Sequence, residues 1–379
     1  MQKRQTLKLI TAAALMGLAG LAQAQQTIKI ANIVELSGPG TTAGTLFKNG
    51  VELAIKEINS SGGILGKKIE SYSVDTQTNP GIAKGLTQKA VDEGAFAIFG
   101  PVYSGSIMVS MAESKRGEVP NFTGGEAASI TQQGNPYVFR TAFGQNISYP
   151  KLAKFITGKY KSLAIIYANN DFGKGGRDTM MKLLDGSATK VVADISTDAG
   201  AVDFSAAVLK AKQSDADAIF VVTNEEESAR LLREARKQGV KQPLLGETTL
   251  IGQKVIELAG DAANGAVGHV GLTTEAAPLK AFGAKYRAEY KSESDHNGIK
   301  GYTGVYVLKA AIEKVGKLDQ KAVAAAIRGG CFSTKQTPGL LLDVCFDDKG
   351  DLDRESFMVE VKGGHQVVTA TLPPLSAKK

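Results

Sequence analysis

Three stretches of the chain place small, basic or hydroxyl residues at spacings that could do chemistry. Gly38, Gly40 and Ala43 spell G-x-G-x-x-A between an apolar run and a helical pattern, the loop by which a dinucleotide-binding unit brings backbone close to a pyrophosphate. Such a unit also needs an acid about 20 residues on, at the end of a second strand, to hold a ribose hydroxyl. Glu57 falls inside the helical pattern, and the strand-like "KKIESYSVDT" reaches its acid only at Asp75. "SSGGILGKKIE" has Ser61 at the first glycine of a P-loop and Lys68 where Ser or Thr must follow the lysine, so it reads as a tight helix-to-strand turn. "GPVYSGS" puts Val102 where a nucleophile elbow needs glycine. His269, His296 and His365 lack acidic or Cys neighbours at ligand spacing, and they read as surface or satisfied histidines. No cofactor and no metal are expected.

Two other stretches face binding rather than catalysis. Asn224 precedes Glu225, Glu226 and Glu227, which reads first as a helix N-cap with acids in its first turn, the other reading being a contact with a cationic ligand group. Phe172, in "NNDFGKGG", lies on a loop, where it either packs locally or walls a ligand.

These residues sit in a repeating frame. "TIKIANIVEL" is a β-branched run, after which Phe47, Val51, Ala54, Ile55 and Ile58 recur at helical spacing. The unit returns in "KIESYSVDT", "AFAIFG", "SLAIIYA", "KVVADIST" and "DAIFVVT", each followed by a helical pattern. Strands alternating with helices predict parallel sheets covered on both faces. "GLLLDVCF", "ESFMVEVKGG" and "HQVVTATL" read as further strands. In such sheets ligands bind outside the carboxyl ends of the strands. That places the informative residues in the loops at 37–45, 75–80, 100–106, 123–129, 169–176, 223–228 and 247–250. Rich in Gly, Ser, Thr and Asn, they suit a small polar ligand held by hydroxyls and free backbone N–H groups.

"MQKRQTLKLITAAALMGLAGLAQA" begins with Lys3, Arg4 and Lys8, continues in an apolar run and ends in Ala22-Gln23-Ala24. This is the pattern of a secretory signal cleaved after Ala24. The run is shorter than the roughly 20 apolar residues of a spanning helix. No Cys follows it, so the reading is a soluble periplasmic protein without a lipid anchor or stable membrane insertion. Loss of the signal lowers the net charge from +7 to +4. The basic residues form no stripe with interleaved aromatics, which excludes nucleic acid as a partner. About 355 residues remain, enough for two domains. Cys331 and Cys345 are the only cysteines. The oxidising compartment and the Pro-Gly turn between them predict a disulfide, the other reading being two buried free thiols.

"LSGPGTTAGTLFKNGVELAIKEINSSGGILGKKIE" resembles the opening of the type I periplasmic substrate-binding proteins of the branched-chain (hydrophobic) amino acid ABC uptake class. The likeness continues through "DTQTNPGIAKGLTQKAV", "IFGPVYSGS", "NPYVFRT", "AIIYANNDFGKGG", "DFSAAVLKAKQSDADAIFVV" and "LLREARKQG" to "FDDKGD". It implies two doubly wound α/β lobes joined by three crossover strands, a Venus flytrap that closes on its ligand by hinge motion. The crossovers are expected at 140–144, 269–274 and 340–346, with lobe 1 at 27–142 and 272–340 and lobe 2 at 143–271 and 341–372. The implied function is capture of a small amino acid, carboxylate or amide for an inner-membrane ABC permease by a monomeric, non-enzymatic protein. A ligand-loaded sensor, or the same role for an aromatic acid or amide, are the alternatives.

The resemblance also implies site roles. Ser104, with Tyr103 and nearby N–H groups, takes the ligand carboxylate, and the loop through Ala43 covers one side. Phe172 and Asn224 stand where the family often has aromatics, and Thr248 or Glu247 stands near the acid that pairs with the ligand ammonium. The chain departs from the pattern in "FTGGEAAS", where Glu126 replaces the expected Ser or Thr beside Gly125. An ionised Glu about 4 Å from a ligand carboxylate costs about 4 kcal/mol at an effective dielectric near 20. Either the ligand offers Glu126 a cation or amide donor, or Glu126 points away, or Thr123 or Ser129 completes the site.

Overall fold

The computed structural model describes residues 27–273 and 277–375; the expected signal segment lies outside them. The first sheet has five parallel strands in the order β2-β1-β3-β4-β5, formed by Ile28–Val34 (β1), Ile69–Asp75 (β2), Ala97–Phe99 (β3), Asn121–Thr123 (β4) and Val138–Arg140 (β5). The second repeats that order with Ser162–Ala168 (β6), Lys190–Thr197 (β7), Ala218–Val222 (β8), Leu244–Gly246 (β9) and Val267–Val270 (β10). It adds an antiparallel pair at the β10 edge, described below, and is therefore mixed rather than wholly parallel. In both sheets the strand order reverses beside the first strand, between β1 and β3 and between β6 and β8. Doubly wound sheets bind ligands at these reversals.

β1 is buried almost throughout and β8 completely, which is why they read as continuous apolar runs rather than alternating ones. The helix Thr41–Ser60 buries the stripe Ala43, Leu46, Phe47, Val51, Ala54, Ile55 and Ile58 against the first sheet. It also packs on the helix His296–Val315. That pair approaches closely because both surfaces are glycine: a Cβ at Gly50 would overlap the Gly298 carbonyl, and one at Gly301 the Phe47 carbonyl.

The chain crosses between lobes three times, at 141–145, at 271–273 and at 353–356. The third crossing is a correction, since it was expected at 340–346. Cys331–Phe332 (β11), Val344–Phe346 (β12) and Leu352–Asp353 (β13) form a small sheet of their own. Phe332, Leu340, Val344, Phe346 and Leu352 join the core of the first lobe, and the Phe346 ring stands edge-on to Phe139. Residues 341–352 therefore belong to lobe 1. The chain enters the second sheet only at Ser356–Lys362 (β14), which pairs with β10 and His365–Leu372 (β15). Cys331 and Cys345 are direct partners across β11 and β12, and a disulfide joins them. Among the described residues no helix is long and apolar enough to cross a membrane.

Candidate functional site

Two acids, one buried and one partly exposed, shape the first lobe's side of the cleft. Glu35 follows β1, and its carboxylate accepts the N–H groups of Val102 (3.0 Å) and Tyr103 (3.1 Å). This fixes the turn that leads from β3 into the helix Ser104–Gly117. Burial pushes the Glu35 carboxyl up, and these hydrogen bonds oppose that rise. Asp75, at the end of β2, accepts from Leu36, Ser37 and Gln77 N–H at 2.8, 3.1 and 2.7 Å and from the Ser37 hydroxyl at 2.6 Å. The acid that in a nucleotide site would hold a ribose is here saturated by the glycine loop itself.

Ser104 opens its helix, and its Oγ accepts from Ala127 N–H at 3.2 Å. The hydroxyl proton stays available to a ligand, beside the first N–H groups of the helix, which have no intrahelical acceptor. The opposite wall of this corner, 124–127, is held by Arg140. That buried guanidinium donates to Ala127 O (2.7 Å) and pairs with Asp351 (2.6 Å). Asp351 also accepts from Thr131 and Asn146, so "FDDKGD" braces the 124–127 loop through Arg140.

Glu126 lines the cleft, but not alone. Lys300 Nζ donates to Glu126 Oε1 at 2.7 Å and to Gly124 O at 3.2 Å, with both side chains buried. Lys300 comes from the helix His296–Val315, whose N-cap Asp295 accepts Asn297 N–H.

The second lobe contributes two helix starts. Asn170 caps the helix Asp171–Leu184, and Phe172 O accepts from the Gln145 side chain. At the helix Glu225–Lys237, Asn224 N–H donates to Glu227 Oε2 at 2.8 Å and Gly200 N–H to Glu227 Oε1. Capping is thus the work of Asn224 and Glu227. Glu225 is the residue of that trio that turns into the cleft. It accepts from Asn297 Nδ2 at 3.1 Å and lies 3.6 Å from His296 Nε2. Burial, then repulsion from Glu226 and Asp295, pushes its carboxyl up to about 8.

These side chains enclose two chambers. The first, about 300 Å³, is lined by Tyr103, Ser104, Gly125 and Glu126, by Phe172, Asn224 and Glu225 from the facing lobe, and by Asn297 and Lys300. The second, about 330 Å³, lies at the hinge, where Thr141, Phe143, Gly271, Leu272 and Arg354 from the three crossings meet Glu247, Thr248, His269 and His296. The Glu126–Lys300 pair borders both. Burial, then repulsion from Glu126, holds the Glu247 carboxyl well above the usual range. Burial, then Lys151, pushes His269 down to about 3. An outer mouth of about 760 Å³ opens past Pro39, Thr78 and Gly200.

Of the residues singled out in the sequence, Tyr103, Ser104, Gly125, Glu126, Phe172 and Asn224 gather around the first chamber, and Glu247 and Thr248 around the second. Three lie elsewhere. Ala43 belongs to the inward stripe of its helix and is core, because the helix starts at Thr41 and turns position 43 away from the cleft. Thr123 is fully buried at the end of β4 and lines neither chamber, and Ser129 turns its hydroxyl to Met108. Sequence reasoning missed Asn297, Lys300 and Arg354, and its reading of His269 and His296 as surface or satisfied histidines is corrected, because both are buried with ring nitrogens that lack hydrogen-bond partners. The signal for the first two was present in "DHNGIKGY": Asn297 and Lys300 are three apart, on one face of a helix whose first turns are buried.

The periplasmic binding protein family model matches residues 27–366. The Leu/Ile/Val-binding protein of Rhizobium johnstonii is 30% identical over 96% of this chain and 100% of its own length. The leucine-, isoleucine-, valine-, threonine- and alanine-binding protein of Pseudomonas aeruginosa is 28% identical over 93% and 94%. Among solved structures, the branched-chain amino acid transporter substrate-binding protein of Streptococcus pneumoniae, in complex with isoleucine, superimposes with a TM-score of 0.81 at 26% identity, covering 92% of this chain and 99% of that one. A solute-binding protein from R. palustris in complex with benzoate has the same fold, with a TM-score of 0.83 at 21% identity over 92% and 98%. With the fold, the cleft between two lobes and these likenesses in hand, the chain belongs to the periplasmic binding protein family.

Proposed function

We propose that this protein is the periplasmic solute-binding component of an ABC importer. It captures a small amino acid, or a related small carboxylate or amide, between its lobes and delivers it to an inner-membrane permease without covalent chemistry. The observation that carries this reading is the first chamber. Ser104 and a helix start on one lobe face Phe172 and Glu225 on the other across this chamber, a concave site between two lobes with a few convergent polar groups. A ligand touching both walls gains contacts in the closed form that the open form lacks, and it shifts the population accordingly. The amino acid specificities of the relatives support the ligand class.

Mass spectrometry of small molecules released by denaturing the purified protein tests the reading. One equivalent of a small polar solute, rebinding without turnover, is the expected result. Absence of any bound or rebinding solute, or conversion of the solute to a product, overturns it. Intact mass and sedimentation should give a monomer starting at Gln25.

A further inference from the structure

Arg354, on the third crossing, is a cation without an anion. It is buried, its Nε has no hydrogen-bond partner, and its guanidinium lies 5.7 Å from the centre of the Phe143 ring. Burial pulls it down only to about 10, so it stays charged. Among the described residues no Asp or Glu pairs with it. The acids around the chamber are committed elsewhere: Asp353 lies 3.6 Å from Lys151 Nζ, and Glu126 accepts from Lys300 at 2.7 Å. Glu247 stands on the chamber wall, but burial, then repulsion from Glu126, holds its carboxyl well above the usual range, in the neutral form. His269 and His296 are neutral too, pushed down by burial and then by Lys151 and Lys300 respectively. The hinge chamber therefore carries one uncompensated positive charge. Its wall also holds unused neutral donors, since His269 Nε2 and Thr141 Oγ1 are buried without partners. A buried guanidinium without an anion is expensive unless one arrives. The anion that does arrive gains charge-assisted hydrogen bonds.

We propose that the hinge chamber is a second binding site, for a small anion (chloride or a short carboxylate) held by Arg354 with His269 and Thr141 as neutral donors. The site rests on Arg354 and not on the chamber at Ser104. Thr141 and Phe143 come from the first crossing, Gly271 and Leu272 from the second and Arg354 from the third. An anion held there ties together the three segments that must move relative to one another as the lobes open, and its binding stabilises the closed form. The anion is either a free ion or a second carboxylate carried by the captured solute, and both meet the same guanidinium.

Differential scanning fluorimetry of the solute-free protein tests the free ion, with gluconate replaced by chloride, formate or acetate at constant ionic strength. The wild type should show a saturable rise in melting temperature of about 2–4 °C with at least one of them. Arg354→Gln should abolish the rise and Arg354→Lys should keep part of it. Arg116→Gln, which removes an exposed guanidinium on lobe 1, should leave it intact. Calorimetry tests the solute's own carboxylate, with L-glutamate against L-glutamine and succinate against succinamate. A preference for the diacid of about tenfold or more that Arg354→Gln abolishes assigns the anion to the solute. Bromide soaked into wild-type crystals gives a readout free of any variant, and its anomalous signal should lie inside the hinge chamber against Arg354. Bromide found only on the surface overturns the site, as does a rise or a preference that Arg354→Gln retains. So does a wild type with neither. Solute binding at Ser104 without any of these effects overturns the anion site while leaving the importer reading standing.

Discussion

Lys300 and Glu126, 174 residues apart in the chain, meet at 2.7 Å in the floor of the cleft. The pair removes the obstacle that Glu126 poses to a carboxylate ligand. An isolated carboxylate there would repel the ligand, whereas one neutralised at hydrogen-bond distance presents little net charge. Removing one member leaves a buried, unpaired ion. Lys300→Met and Glu126→Leu should each destabilise the protein by about 3–5 kcal/mol, and the double variant should be more stable than either single one. Urea unfolding of the three variants measures this, and additive losses would contradict the coupling.

Ser104→Ala should weaken binding of the cognate solute and leave the fold unchanged. The hydroxyl's acceptor role toward Ala127 N–H is lost with it, but its free proton is what a ligand carboxylate would use. A charge-assisted hydrogen bond of this kind contributes about 1.5–3 kcal/mol. Calorimetry on wild type and variant with the solute released from the native protein gives the difference. An unchanged affinity would place the carboxylate elsewhere.

Cys331 and Cys345 close the loop that carries Leu340 and Val344 into the lobe 1 core. Cross-linking a loop of this size stabilises by about 3 kcal/mol. Thiol labelling of the unreduced, unfolded protein should modify no cysteine, and reduction should lower the urea midpoint. Two labelled cysteines would refute the bridge.

How far the sequence carries can be judged at individual residues. Ser104, Phe172 and Asn224 were legible because each follows a strand with a clear apolar run, and strand ends at the sheet reversal are where ligands sit. Capping by Asn224 and Glu227 was legible too, as a local pattern of four residues. The third crossing was not. "GLLLDVCF" reads as one strand, yet only Val344–Phe346 pairs, because Gly339 must pack flat on the Tyr306 ring, 340–342 is tied down by core contacts and Asp343 accepts from Thr334. Lys300 and Arg354 were illegible for a related reason: a lone charged residue in a helix or loop reads as solvated, yet Lys300 is buried on Glu126 from a distant segment and Arg354 is buried over the Phe143 ring. Ala43 was misplaced because the helix phase depends on where its first turn begins.

The buried acids of the cleft set a dependence on pH. Glu225 titrates near 8, pushed up by burial, Glu226 and Asp295, and Asp295 near 6, pushed up by burial. The groups around Glu225 are Glu226 on its own helix, Asp295, His296 and Lys300 from the facing helix, and Tyr103 across the cleft. In the unfolded chain a Glu titrates near 4.3. The native state therefore holds protons that the unfolded state has released, and its stability falls as pH rises toward 8. His269 and His296 act in the opposite sense. Neutral when folded, they cost stability only below their unfolded value near 6.5. Between about pH 6.5 and 8 the acids act alone, so the melting temperature of the solute-free protein should fall across that window, and Glu225→Gln should reduce the slope. Differential scanning calorimetry across the window measures this, and a flat melting temperature, or an unchanged slope in Glu225→Gln, would show that Glu225 does not carry the dependence.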